Sequence, residues 1–287
     1  VNTIVQHPLI AAFAEAVGKR CPSSSRDCSA FWDCEPLFRH LADQQFAEAV
    51  LNDGLRALAE DPAALRQWGG GRRVLASGRD DSWLLSLRLI DQPRRYLHSV
   101  VRHALVAPVN GRALRGDRYT LPATFQNSVF DPSQKLIPDG RFEIAAGEVL
   151  RVEADRAVFD PQIEAPVLVL MFETAPIAVL EWRFSRDTLH AWACIDGDPV
   201  ATDLKLAAWL CGRLAHQTSL APIKALARHA DPGVRWAALQ SLGRLSRAES
   251  RKLLTAALDD PHPVVRRSVR QLLDQETPVD PQVPRWR

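Results

Sequence analysis

Of the eight histidines in the sequence, three fall in strand-like segments where they can face a common interior: His98, His103 and His190. Imidazole is the usual nitrogen ligand of transition metals, and two or three rings converging on one point suit iron or zinc. The stretch PRRYLHSVVRHALVAPV, Pro93 to Val109, carries two of them. Side chains alternate along a strand, so His98 and His103 face opposite ways unless the chain bends between Ser99 and Arg102. His190 shares a strand face with Thr188, Trp192 and Cys194, which lets it point into the same interior. The cofactor for such a set is Fe(II) or another divalent transition metal. The competing expectation is that these rings are hydrogen-bonded or sit at a rim, with no metal.

Other reactive groups carry weaker patterns. Cys21, Cys28, Cys34 and His40 supply the four ligands a zinc site needs, but no C-x2-C pair is present. A loop with partly buried thiols is the expectation there, and Cys194 and Cys211, in apolar periodic segments, are expected to be buried and inert. The odd cysteine count, five, predicts free thiols. Gly69-Gly70-Gly71 precedes the strand-like RRVLAS and has no Lys-Ser/Thr behind it, so it is a hinge or turn and not a phosphate cradle. Asp80-Asp81 and Asp259-Asp260 precede a strand and a Pro-led helix, where capping accounts for them. G-x-S-x-G, H-E-x-x-H, Walker and dinucleotide fingerprints are all missing.

The elements that must position these residues are set by periodicity. Residues 1–68 have helical spacing, with Leu9, Phe13, Ala16 and Val17 on one helix and Leu37, Leu41, Phe46, Val50 and Leu58 along the next, followed by a short helix after Asp61-Pro62. From Arg72 to Ile195 the period is two. In SWLLSLRLI, Trp83, Leu85, Leu87 and Leu89 share one face, and Ser82, Ser86 and Arg88 the other. HALVAPV, EVLRVE, PVLVLMFE, IAVLEWRF and TLHAWACI repeat the pattern. Turn signals separate them at Asn110-Gly111, Gly116-Asp117, Pro138-Asp139-Gly140, Ala146-Gly147 and Ser185-Arg186-Asp187. Many short strands without intervening helices predict an antiparallel barrel or sandwich. Helical period returns after Pro199, where Leu206, Trp209, Leu210 and Leu214 form one apolar side. The fold class is therefore α+β, divided as an N-terminal helical segment (1–70), a β-barrel (71–200), helical repeats (201–275) and an extended tail (276–287).

The repeats superpose at an offset of 31 residues. Ile223 matches Leu254, Pro232 matches Pro263, Val234-Arg235 matches Val265-Arg266, and Leu242 matches Leu273. The recurring Pro-x-Val-Arg resembles HEAT-type repeats, which implies an α-solenoid that contacts a protein partner through a concave surface. The middle segment resembles the cupin barrels, in the order of a His-bearing strand, a strand ending Asn110-Gly111, a hairpin, and the Gly147-Glu148 turn into a further strand. That resemblance implies a small-molecule site and, in metal-binding members, iron-type oxygenase or isomerase chemistry. Val100 stands where the motif's second histidine would be, and the strand after Gly147 has no histidine.

Charge is uneven: residues 1–70 hold 6 basic and 9 acidic side chains (−3), residues 71–200 hold 16 and 17 (−1), and residues 201–287 hold 14 and 8 (+6). The C-terminal excess admits nucleic-acid binding through Arg235, Arg244, Arg251, Lys252, Arg266, Arg267 and Arg270, with Trp236 as a stacking platform. Against it, Arg235 and Arg266 belong to the repeat pattern itself. The absence of a long apolar run and of a signal-peptide pattern predicts a cytoplasmic protein with no membrane partner. The leading expectation is a cupin-like small-molecule-binding or accessory protein whose repeats contact a partner. The alternatives are a metal-dependent oxygenase acting on a small molecule, and nucleic-acid binding.

Overall fold

The computed structural model describes residues 2–3, 5–21, 29–43, 45–61, 68–69 and 71–276. Of the short helix expected from Pro62 up to Gly69, residues 62–67 lie outside the described residues and Trp68 is in a strand; Cys28 and the tail from residue 277 also lie outside them. The chain forms two compact units, Val1–Gly197 and Asp198–Arg287. No helix among the described residues is long and apolar enough to cross a membrane.

The first unit opens with α1 (Pro8–Arg20), α2 (Ser29–Trp32), α3 (Glu35–Ala42) and α4 (Ala47–Glu60). In α1 the buried seam is Ile10, Phe13, Ala14 and Val17, one position off the expected Leu9 and Ala16, with Phe13 and Val17 kept. The run read as one helical pattern from Leu37 to Glu60 is two helices, because α3 stops at Ala42, where Asp43 caps it.

The strands are β1 (Asn2–Thr3), β2 (Trp68–Gly69), β3 (Arg72–Ser77), β4 (Trp83–Ile90), β5 (Leu97–His98), β6 (Ala104–Pro108), β7 (Leu114–Thr120), β8 (Ile137–Ile144), β9 (Leu150–Val152), β10 (Ala157–Gln162), β11 (Val167–Thr174), β12 (Leu180–Phe184) and β13 (Ala191–Asp196). Among the described residues they do not close into the single barrel that the sequence predicts. They form three antiparallel sheets: β1-β3-β4-β11-β6-β9 with β2 added on β3, then β10-β7-β8, then β13-β12-β5.

Alternation gives the large sheet two apolar faces. Trp83, Leu85 and Leu87 of β4, Leu105 and Ala107 of β6, and Leu170 and Phe172 of β11 pack against α1 to α4. Phe172 is the hub of this layer, with ring centroids at 5.3 Å from Phe13, 4.8 Å from Phe31, 6.3 Å from Phe38 and 5.8 Å from Trp83. The reverse face, with Val106, Val167 and Val169, packs against Leu114 of β7 and Ile144 of β8. The third sheet gathers Leu97, Trp182, Phe184 and Ala191 around Val158 of β10.

Two expected turns are strands. Gly116-Asp117 lies inside β7, where a Cβ on Gly116 would run into the Asp160 carbonyl of β10, so the glycine serves close strand approach and not chain reversal. Pro138-Asp139-Gly140 lies inside β8 opposite a register irregularity in β7, and Gly140 takes φ +83° there.

The second unit comprises α5 (Pro199–Leu214), α6 (Leu220–Leu226), α7 (Pro232–Leu245), α8 (Arg247–Ala256) and α9 (Pro263–Glu276). Asp198 and Asp231 cap α5 and α7 by accepting from the Val200 and Val234 N–H groups, each ahead of a proline in the first turn. Helix, proline turn and helix recur as α6–α7 and α8–α9, as the repeat predicts. The face of α5 differs from expectation. Leu206, Trp209, Leu210 and Leu214 are exposed, and the buried side is Ala201, Ala208 and Gly212. Helix contact is close there: a Cβ on Gly212 would lie 2.9 Å from the Ser241 Cβ of α7, leaving room only for small residues.

Candidate functional site

The histidine-bearing stretch does bend. β5 pairs with β12, where His98 stands opposite Arg183, and the Ser99 N–H donates to the Trp182 carbonyl at 2.9 Å. The chain then leaves that sheet and enters the large one, where β6 pairs with β11 from Ala104 onward. Alternation along β6 sets the direction of each side chain. Ala104 and Val106 face the space between the sheets, while Leu105 and Ala107 face the helices. His103 belongs to the helical side, its ring 5.1 Å from Trp32 and 6.5 Å from Phe31 between centroids. Its Nδ1 accepts from the Ala154 N–H at 3.1 Å. Burial pushes the His103 pKa below the ordinary histidine value, with Glu153 opposing, so the ring is neutral. His190 is exposed just before β13, in an isolated bridge with Lys135. The bend thus separates His98 from His103 and does not bring the three rings together.

His98 instead lines a cavity of about 200 Å³ between the sheets. Val106, Val152, Phe142, Phe159 and Met171 give it an apolar floor. Its polar wall carries Arg88, Arg94, Arg102, Glu173 and Glu181 beside His98. His98 Nδ1 lies 2.7 Å from Glu181 Oε1. Burial raises the Glu181 pKa, but the His98 hydrogen bond and the nearby Arg183 and Arg94 charges outweigh it and hold the carboxyl below its ordinary value. An ionised carboxylate only accepts, so Nδ1 donates. Glu173 is taken by Arg72, and Arg102 Nη1 donates to the Thr174 carbonyl at 2.8 Å.

Arg88 and Arg94 differ from these neighbours. Neither guanidinium has a hydrogen bond or ion pair to a partner among the described residues. The surrounding protein and the charge of Arg88 press the Arg94 pKa below the usual arginine value, against the pull of Glu181 and Asp160. Two cations therefore share one wall of an apolar-floored space with ionised Glu181, and Arg94 is exposed to solvent.

The donor set does not fit a resident metal ion. Of the cavity's ligating groups, Glu173 is committed to Arg72 and Glu181 to His98, and three arginines share the wall. Among the described residues no group of three or more His, Cys, Asp or Glu could hold one. The cysteine segment is similar: Cys21 and Cys34 are free, with Sγ atoms 3.5 Å apart, and His40 is exposed on α3. Cys194 and Cys211 are half-buried, not fully buried as expected. The arginines and Glu181 went unselected in the sequence, where Arg88 was read on the polar face of a half-buried strand, the face that the structure turns toward the cavity.

In the second unit Arg235 is buried. Its Nε and Nη2 grip both carboxylate oxygens of Asp260 at 2.8 and 2.7 Å, and Nη1 donates to the His229 and Ala230 carbonyls at 2.9 and 2.8 Å. Burial raises the Asp260 pKa, but Arg235 and the His262 N–H more than offset this and hold it below the ordinary aspartate range. Trp236 packs on Leu239, Leu254, Val265 and Val269. Arg235 and Trp236 are thus engaged within the repeats, whereas Arg266 is half-buried and Arg267 and Arg270 are exposed.

Residues 193–274 match the family of HEAT repeats. No curated protein matches the sequence. Cupin proteins stand among the similar solved structures. A cupin protein from Bacteroides fragilis is 14% identical, covering 32% of this chain and 65% of that chain, with a TM-score of 0.21. Vicilin from Corylus avellana is 18% identical, covering 42% and 32%, with a TM-score of 0.24. A hydroquinone 1,2-dioxygenase in complex with Cd2+ and 4-hydroxybenzonitrile is 10% identical, covering 34% of this chain and 60% of that chain, with a TM-score of 0.26. Likeness at this level carries no site or activity across.

Proposed function

We propose that the first unit binds a small organic anion in the cavity between its sheets, and that the protein is a ligand-binding accessory protein whose HEAT repeats contact a protein partner. The observation that supports this is the pair of guanidiniums, Arg88 and Arg94, which make no hydrogen bond or ion pair among the described residues and stand beside an apolar floor, with Glu181 and Asp160 as the nearby opposite charges. A carboxylate or phosphate meeting them forms charge-assisted hydrogen bonds, the strong class. An attached ring or short alkyl group would displace water from Phe142, Phe159 and Met171. Ionised Glu181 on the same wall, tied to His98, disfavours a second negative group on the ligand and favours a monoanion.

Benzoate is a suitable probe and benzamide its neutral match. Benzoate is expected to raise the melting temperature in proportion to the logarithm of its concentration, benzamide is not, and Arg94→Met is expected to abolish the effect. Equal shifts with both compounds, or none with benzoate, would remove the proposal. The oxygenase alternative makes the opposite demand. Stoichiometric iron, zinc or manganese in protein purified without chelator, lost on His98→Ala, would replace an anion site by a metal one.

A further inference from the structure

We infer that the outer edge of α9 docks an acidic segment of a protein partner, with Arg266 as the residue that recognises its carboxylate. The 31-residue offset makes Arg266 the counterpart of Arg235, and the structure keeps that equivalence to the atom. Arg235 Nη1 donates to the carbonyls of His229 and Ala230, and Arg266 Nη1 donates to those of Asp260 and Pro261, the same two positions one repeat on, at 2.6 and 2.9 Å. Each guanidinium is thereby fixed over the turn that opens its own helix. In Arg235 the remaining Nε/Nη2 edge takes both oxygens of Asp260. In Arg266 that edge has no partner among the described residues. A fork already held in position loses little freedom on meeting a carboxylate, which is the condition for a strong bidentate pair.

The surrounding face agrees. Trp236 and Leu239 of α7 cover the following repeat, and their counterparts on α9 are Arg267 and Arg270, both exposed. The apolar surface that stacks one repeat on the next is thus replaced by positive charge at this edge. The matching partner is anionic, and the ligand already accepted by this fork inside the chain is a carboxylate. This inference rests on the proposal that the repeats contact a protein, and is independent of the cavity: a failure here leaves the benzoate result untouched.

The test uses the full chain and a short fluorescein-labelled peptide rich in aspartate and leucine, with an Asn-for-Asp peptide as control, read by fluorescence anisotropy. Binding of the acidic peptide alone is expected, weakened about tenfold or more by Arg266→Gln. Arg266→Lys keeps a donor for the turn carbonyls but has no fork, so it should fail to restore affinity, while Arg267→Gln weakens binding less. Helical circular dichroism checks that each variant is folded. Equal affinity for the Asn peptide, or no loss in either Arg266 variant, overturns the inference. Tighter, Arg266-dependent binding of single-stranded DNA would assign the edge to nucleic acid. Self-association abolished by Arg266→Gln, with no peptide binding, would assign it to a second copy. Either outcome also overturns it.

Discussion

His103 shows how a residue's neighbours settle its chemistry. Its ring is stacked on Phe31 and tilted against Trp32 and accepts a backbone N–H at Nδ1, an arrangement that requires the neutral form. Because its folded pKa is depressed by burial, the unfolded chain binds the proton more readily. Stability is therefore complete above the unfolded value of about 6.5 and is lost as pH falls below it. Urea midpoints of the wild type are expected to drop between pH 7 and pH 5, with a flatter profile in His103→Gln, whose amide oxygen can still accept from Ala154. Parallel profiles would show that this proton is not linked to folding. His98 was legible in the sequence as a candidate, though not its direction, because the chain changes sheets between it and Ala104. Its partner Glu181 was not: it arrives from 83 residues away, through a pairing that no local pattern encodes.

Strands were legible as elements, since SWLLSLRLI and PVLVLMFE reappear as β4 and β11, with Trp83, Leu85 and Leu87 of the expected β4 face buried and Leu89 exposed. Their grouping was not legible. Whether strands close into a barrel or divide into three sheets depends on long-range registers, and the crossing from β5 to β6 occurs in a stretch whose residue types suit a continuous strand. Glycine misled for a related reason, because a turn and a close strand contact ask for the same missing Cβ. Gly116→Ala tests the second role. It should force β7 and β10 apart and destabilise the first unit by about 1–3 kcal/mol, measured as a lower urea midpoint. No change would mean that the strand pair yields freely. On α5 the periodicity was read correctly but assigned to the wrong face, because helix contact through Gly212 selects small residues over large ones.

At the scale of the units, the apolar clusters described around the sheets are built from residues of the first, and those described among the repeats from residues of the second. Breaking the buried Arg235–Asp260 pair should therefore act on one unit. Asp260→Asn is expected to cost the repeats about 3–5 kcal/mol and to lower one calorimetric transition while leaving the other in place. A uniform shift of both would show that the units unfold together. Phe172 carries a different consequence, one of timing. The helices that pack against it are complete by residue 60, but β11 is the central strand that joins β4 to β6, and it is synthesised more than a hundred residues later. At ribosomal speed that interval is on the order of ten seconds, during which Phe13, Phe31 and Phe38 have no Phe172 to cover them. The emerging chain is thus most exposed to aggregation, and most in need of a chaperone, until Thr174 has left the ribosome.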